Sequence, residues 1–329
     1  MSALAPTLQA FFTDRLTRQK DASPNTVAAY RDTWKLLLAY AATCTGQAPS
    51  QLDIGDLDVR LIGGFLDHLQ HERGNSASTR NARLAAIRSL FRFAALHHPV
   101  HAADIERVLA IPTKRTDTRL ISYLTDPEID AMLAAPDPTT WFGRRDHALL
   151  LLAVQTGLRA SELLGLRCGD LQLSTGAYVA CHGKGRKQRT TPLTPTTVAV
   201  LRPWRAERDG QPDDPLFPTR RRTFMSRDAL ERRIARHVAH AASTCPSLNA
   251  KTVTAHVLRH TAAMRLLHAG VDTSVIALWL GHENAETTQV YLHADMALKE
   301  RAINRTTPPN TIPGRYQPDD AILTFLDSL

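Results

Sequence analysis

Four separated segments of this chain carry the side chains that phosphoryl chemistry needs. In Thr156-Gly157-Leu158-Arg159-Ala160-Ser161-Glu162, a glycine interrupts an apolar run and sets Arg159 at the start of the next helix. A guanidinium beside a helix N-terminus offers a phosphate both a fixed cation and unpaired N–H groups. Glu162 follows three residues later, on the same helical face, where it can orient Arg159. In Gly183-Lys184-Gly185-Arg186-Lys187, glycines flank Lys184, so the chain can turn sharply and approach a backbone closely. A lysine there can protonate an alkoxide leaving group when neighbouring cations lower its pKa. His256-Val257-Leu258-Arg259-His260 puts His256 and Arg259 on one helical face, with Leu258 towards the core and His260 packing or capping locally. That pair offers one phosphate a hydrogen-bond donor and a permanent cation. The fourth segment is Leu280-Gly281-His282, followed by Tyr291. Each segment alone has a plainer reading: a surface salt bridge, a solvated basic turn, a satisfied histidine, a core tyrosine.

These groups need elements to hold them. In the first third, Ser23-Pro24 supplies an N-cap and a first-turn proline, and Val27, Tyr30, Trp34, Leu37 and Leu38 recur at helical spacing. Asp56 is placed to cap a second helix, with Leu57, Leu61, Ile62 and Phe65 on its apolar face. Ser78 is placed to cap a third, carrying Leu84, Ile87, Leu90 and Phe91. From Ile111 the periodicity disappears into a polar, basic stretch, IPTKRTDTR, which sets a linker at 112–120 between a helical domain over 1–111 and a second domain over 121–305. The second domain opens on the capping-box pattern Thr125-Asp126-Pro127-Glu128. Within it, Tyr178–Cys181 and Arg189–Leu193 read as strands joined by the Lys184 turn, and helices resume from Pro195. A short amphipathic tail over 306–329 follows Pro308 and Pro309. The fold class expected is therefore mainly α with a small β-hairpin or sheet, in two domains.

Composition limits the partners. With 43% apolar and 22% charged residues the chain reads as a soluble globular protein, and no apolar run is long enough to span a membrane. The first ten residues lack a secretory pattern, and the four scattered cysteines have neither disulfide-framework nor zinc-site spacing; both point to the cytoplasm. His97, His98 and His101 lack an acidic or cysteine partner at ligand spacing, so no metal site is expected. The formal net charge of +8 favours a polyanion. Candidate DNA contacts are Lys114 and Arg115 in the linker, Arg186 and Lys187 in the hairpin turn, and the run Arg220, Arg221, Arg222.

Taken in order, with their flanking residues, the four segments resemble the phage-integrase family of tyrosine recombinases. The resemblance runs from Leu149 to Asp295, about half the chain, through TGLRASELLGL, GKGRKQR before TTPL, HVLRHTAAMRLLHAG and VIALWLGHENAETTQVYLHAD. It implies a helical core-site-binding domain and a mixed α/β catalytic domain forming a clamp around DNA. It also implies that Arg159 and Arg259 hold the scissile phosphate, with Glu162 supporting Arg159. Lys184 would be the general acid, His256 and His282 would bind the phosphate and assist proton movement, and Tyr291 would be the nucleophile. The implied reaction is site-specific cleavage and rejoining of double-stranded DNA through a 3′-phosphotyrosyl bond, without cofactor, by a tetramer on two core sites. The tail would dock on its own or a neighbouring protomer. Integration or excision of a mobile element and dimer resolution fit equally. Relaxation by a type IB topoisomerase and a catalytically inactive DNA-binding regulator are the alternatives. The acidic Glu283-Asn284-Ala285-Glu286 and the long tail depart from the family's common pattern and bear on regulation.

Overall fold

The computed structural model describes residues 4–116, 121–182 and 188–281, and divides the chain into two compact units, Met1–Arg119 and Leu120–Leu329. The first unit is helical. Helix α1 (Leu4–Ala10) runs on into a π-helical stretch, Phe11–Gln19, followed by α2 (Pro24–Thr45), α3 (Val59–His71), α4 (Ala77–Ala94) and α5 (Ala102–Leu109). The caps show why each begins where it does. Ser23 Oγ accepts the Thr26 N–H and Pro24 needs no donor partner, while Gly46, at φ 70°, ends α2 in the left-handed region.

Two cap positions differ from those read from the sequence. Asp58, not Asp56, caps α3 by accepting the Leu61 N–H at 2.8 Å, because Asp56 is committed to a 3-10 turn in which it accepts the Asp53 N–H. Ser76, not Ser78, caps α4; Ser78 lies inside the helix. The core of the unit draws Phe11 and Leu16 from the π-helical stretch, Trp34 and Leu37 from α2, Phe65 from α3 and Phe91 from α4. Each such side chain, fully buried, contributes about 1.5–3 kcal/mol.

The start of the segment that reads as a linker is tied to this unit. Arg88 donates to the Ile111 carbonyl, Arg80 to that of Pro112 at 2.9 Å, and Asn81 bonds both backbone groups of Lys114. These are polar links across a stretch that lacks apolar periodicity, which is why hydrophobic patterning does not reveal them.

The second unit comprises α6 (Asp126–Ala134), α7 (Trp141–Thr156), α8 (Ala160–Gly165), a sheet, α9 (Pro195–Arg208), α10 (Arg227–Ala241), α11 (Ala255–His268) and α12 (Thr273–Leu280). The sheet is antiparallel in the order β1 (Leu171–Gln172), β2 (Tyr178–His182), β3 (Gln188–Pro192), with Val179 opposite Thr191 and Cys181 opposite Arg189. The hairpin agrees with the sequence reading; the two-residue β1 is too short to leave a pattern. The apolar run of α7 is buried throughout Ala148–Val154 apart from Leu151, and α11 packs along it.

A polar hub inside this unit joins α7 to α10. Asp146, 1% exposed, accepts from Arg145 at 2.6 Å, Arg233 and Arg236 at 3.2 Å, and pairs with His237 at 2.9 Å. The wholly buried Arg145 also donates to the Pro218 carbonyl. Breaking such a buried pair costs about 3–5 kcal/mol because a charge is left without a partner.

Candidate active site

The site is built where three helix ends meet. Helix α7 ends at Gly157, whose φ of 65° is strained for any side chain and whose hypothetical Cβ would lie 2.6 Å from Leu280 Cδ2. The chain then turns so that Arg159 is the N-cap residue of α8, as its spacing predicts, and Glu162 on the first turn reaches back to accept the Arg159 N–H at 2.7 Å. Glu162 also accepts Arg159 Nη1 at 2.9 Å, while Arg159 Nη2 donates to the Gly281 carbonyl at 2.7 Å. Glu162 thus bonds both the backbone and the side chain of Arg159.

Arg259 arrives from α11. Only 4% exposed, it donates Nη1 to the Gly157 carbonyl at 2.7 Å and Nη2 to the Leu280 carbonyl at 2.8 Å. Arg159 and Arg259 therefore bind adjacent carbonyls at the C-terminal end of α12, one residue before His282. That end carries the negative pole of the helix, which favours cations. Trp279 adds a further tie by donating its indole N–H to the Thr156 carbonyl at 3.0 Å.

His256 stands on the first turn of α11, one turn before Arg259. Its side chain reaches solvent, and its ring meets His260 edge-on with centroids 4.2 Å apart. Partial burial pushes its pKa below the usual histidine range, and the positive charges of Arg259 and Arg227 push the same way. The ring is therefore neutral at neutral pH, with one nitrogen able to donate and the other to accept.

One participant escaped the sequence reading. Arg189 on β3 donates Nη1 to Glu162 Oε1 at 2.8 Å and Nη2 to Glu162 Oε2 at 2.7 Å. Burial alone would raise the Glu162 carboxyl, but the bond to Arg189, the Arg159 N–H and the charge of Arg189 hold it below the usual range. Gly281, at φ 65°, leaves room for this guanidinium: a Cβ there would sit 2.8 Å from Arg189 Nη1. A signal existed in the strand's alternation. Arg189 and Thr191 share the inward face opposite Cys181 and Val179, and a cation on an inward face requires an anion nearby.

Of the other candidates, Lys184, Arg186, Lys187, His282 and Tyr291 lie outside the described residues. Lys114 belongs to the first unit, where its ammonium bonds Gln70 at 2.6 Å and approaches Asp67 at 3.7 Å; Arg115 beside it is exposed. Arg220, Arg221 and Arg222 are exposed on a turn closed by the Thr219 N–H to the Thr223 carbonyl, with Arg222 at φ 60°. Among the described residues no group of three His, Cys, Asp or Glu side chains is placed to hold a metal, and no helix is long and apolar enough to cross a membrane.

The sequence matches the phage integrase family over residues 122–297 and the phage integrase N-terminal SAM-like domain over residues 10–98. The protein y4rC of Sinorhizobium fredii, itself provisionally named an integrase/recombinase, is 50% identical over 100% of this chain and 99% of its own. The tyrosine recombinase XerD of Vibrio cholerae is 33% identical over 86% of this chain and 90% of its own. Among solved structures, the Tn1549 transposon integrase in complex with transposon right end DNA aligns with a TM-score of 0.68 at 18% identity, over 91% of this chain and 98% of that one. The XerH site-specific recombinase bound to palindromic difH substrate gives 0.64 at 22%, over 83% and 79%. At those identities the structures speak for a shared fold. The sequence matches speak for more: this chain belongs to the phage integrase family and is a site-specific recombinase of the tyrosine class.

Proposed function

We propose that the chain cleaves and rejoins double-stranded DNA at specific core sites through a 3′-phosphotyrosyl intermediate on Tyr291. The observation that carries this reading is the convergence of Arg159 and Arg259 on the end of α12, one residue before His282. Two guanidiniums fixed side by side suit the non-bridging oxygens of one phosphate, where charge builds in the transition state.

In this reading the Tyr291 oxygen attacks phosphorus and the bond to the 5′ oxygen breaks. Lys184 gives that oxygen its proton, while His256 and His282 bond the phosphate and relay the tyrosine's proton. The reverse attack by a 5′ hydroxyl restores the phosphodiester, so no external energy source enters. Positive charge comes from side chains, so the scheme calls for no cofactor. Residues 1–111 serve as the core-site-binding domain and 121–305 as the catalytic domain, joined at 112–120. Lys114, Arg115, Arg186, Lys187, Arg220, Arg221 and Arg222 contribute contacts to the DNA backbone. Four protomers act on two duplexes in the cytoplasm, and the tail over 306–329 docks on a protomer's catalytic domain. The catalytic set is intact in the sequence, which speaks against an inactive regulator.

The test is covalent trapping on nicked duplexes made from the DNA flanking the chain's own gene. The parent chain forms an adduct that survives denaturing electrophoresis; Tyr291→Phe binds the same duplex and forms none. An adduct with the variant removes Tyr291 as the nucleophile. Recombination between two such sites, as against relaxation of any supercoiled plasmid, separates this reading from a topoisomerase.

A further inference from the structure

A phosphate-binding arginine faces opposed demands: it must be held still, and its charge must stay available. Glu162 meets the first demand and threatens the second, since a carboxylate that pairs fully with Arg159 would neutralise it. The bonding around Glu162 resolves the conflict. Its two oxygens accept the Arg159 backbone N–H, a single η nitrogen of Arg159, and both η nitrogens of Arg189, which fills the acceptor positions of a carboxylate. The two-point contact between charged groups is thus with Arg189, one nitrogen to each oxygen. Arg159 spends its other η nitrogen on the uncharged Gly281 carbonyl.

Burial follows the same division. The Arg189 side chain is 14% exposed and that of Arg159 31%, over a carboxylate that is 3% exposed. Two guanidiniums and one carboxylate leave the trio with one net positive charge, carried on its more open member. Neither α8 nor α12 supplies the compensating cation. It comes from β3, whose alternation turns Arg189 inward opposite Cys181, and its approach relies on Gly281 having no Cβ.

We infer that Arg189 is a positioning residue for strand cleavage: it is the counter-ion of Glu162, which lets Glu162 hold Arg159 without neutralising it for the scissile phosphate. Without Arg189, Glu162 turns both oxygens to Arg159 and draws it into a neutral pair. This inference rests on the assignment of Arg159 to the phosphate. It differs from a role for Arg189 on the DNA itself, which would not depend on Glu162.

The experiment is a double-mutant cycle on single-turnover adduct formation by the full chain, using nicked duplexes on which the parent reacts. Arg189→Gln slows adduct formation by roughly ten-fold or more with duplex affinity held within about two-fold. In the Glu162→Gln background, where no carboxylate remains to be compensated, the same substitution changes the rate by less than about three-fold. Arg189→Lys, which keeps the charge and loses the fork, falls between parent and Arg189→Gln.

Equal losses in both backgrounds overturn the inference, because a merely structural or DNA-contacting arginine is needed whether or not Glu162 is charged. So does a parental rate in Arg189→Gln. If Arg189→Gln fails to fold, as thermal melting would show, Glu162→Gln against Glu162→Gln/Arg189→Gln decides alone: equal rates support the inference and a further large loss defeats it. Arg159→Ala reports on the underlying assignment. Undiminished adduct formation there removes Arg159 from the phosphate, independently of how the cycle comes out.

Discussion

Arg259 places two of its donors on the Gly157 and Leu280 carbonyls, a short reach across the end of α12. Its field is felt one turn away. Burial and the charges of Arg259 and Arg227 disfavour the imidazolium of His256, so the ring releases its proton at lower pH than a free histidine. With the folded value below the unfolded 6.5, neutral His256 costs nothing above that pH, and stability declines as pH falls beneath it. Arg227→Ala should move the His256 midpoint upward, towards 6.5, in an NMR titration of the ring protons. An unchanged or lower midpoint would show that Arg227 does not act on this ring. At this scale the sequence was informative about Arg159, Glu162, His256 and Arg259, whose helical spacing is local. It did not expose Arg189, whose partner lies 27 positions away in the chain.

Elements are locked to one another by polar contacts that hydrophobic periodicity does not encode. The start of α6 is one case. Glu128 at its third position accepts the Thr125 N–H, completing the capping box read from the sequence, and also bonds Lys251 and Ser247 from the segment leading to α11. Burial would raise this carboxyl; the Lys251 bond, the Thr125 N–H and the Ser247 hydroxyl bring it down to about 2. A depressed carboxylate contributes stability above its unfolded pKa and loses it as pH falls through the folded one. The window here runs from about 4.5 down to about 2. The contribution at neutral pH is on the order of 3 kcal/mol at most. Denaturant unfolding should show Glu128→Gln less stable at pH 7, with the difference shrinking steadily below pH 4.5. A difference constant down to pH 2 would mean that Glu128 acts through packing and not through its charge. The misplaced caps at Asp56 and Ser78 have a related cause. Several capping residues stand within one turn of each helix start, and only the path of the incoming chain selects among them.

Charge is the property of the whole molecule with a direct experimental signature. A net +8, with exposed arginines at 220–222, predicts that binding to the chain's own sites is driven largely by counterion release. Affinity should fall by roughly 10³-fold or more between about 50 and 200 mM salt, linearly in logarithmic coordinates. A flat response in a titration by fluorescence anisotropy would contradict binding through many phosphate contacts.

The sequence by itself determined the family, the two-unit helical organisation with its hairpin, and the order of the candidate catalytic groups. Apolar periodicity, caps and motif spacing are short-range features, and a linear chain displays them. Only the tertiary structure decided how the charges are apportioned. It placed Arg159 and Arg259 on neighbouring carbonyls where α12 ends, gave Glu162 a second arginine from β3, and used Gly157 and Gly281 to let these groups close in. Which cation compensates which carboxylate depends on distances across the fold, where a few ångströms separate a neutral pair from a free charge, and the sequence carries no measure of those distances.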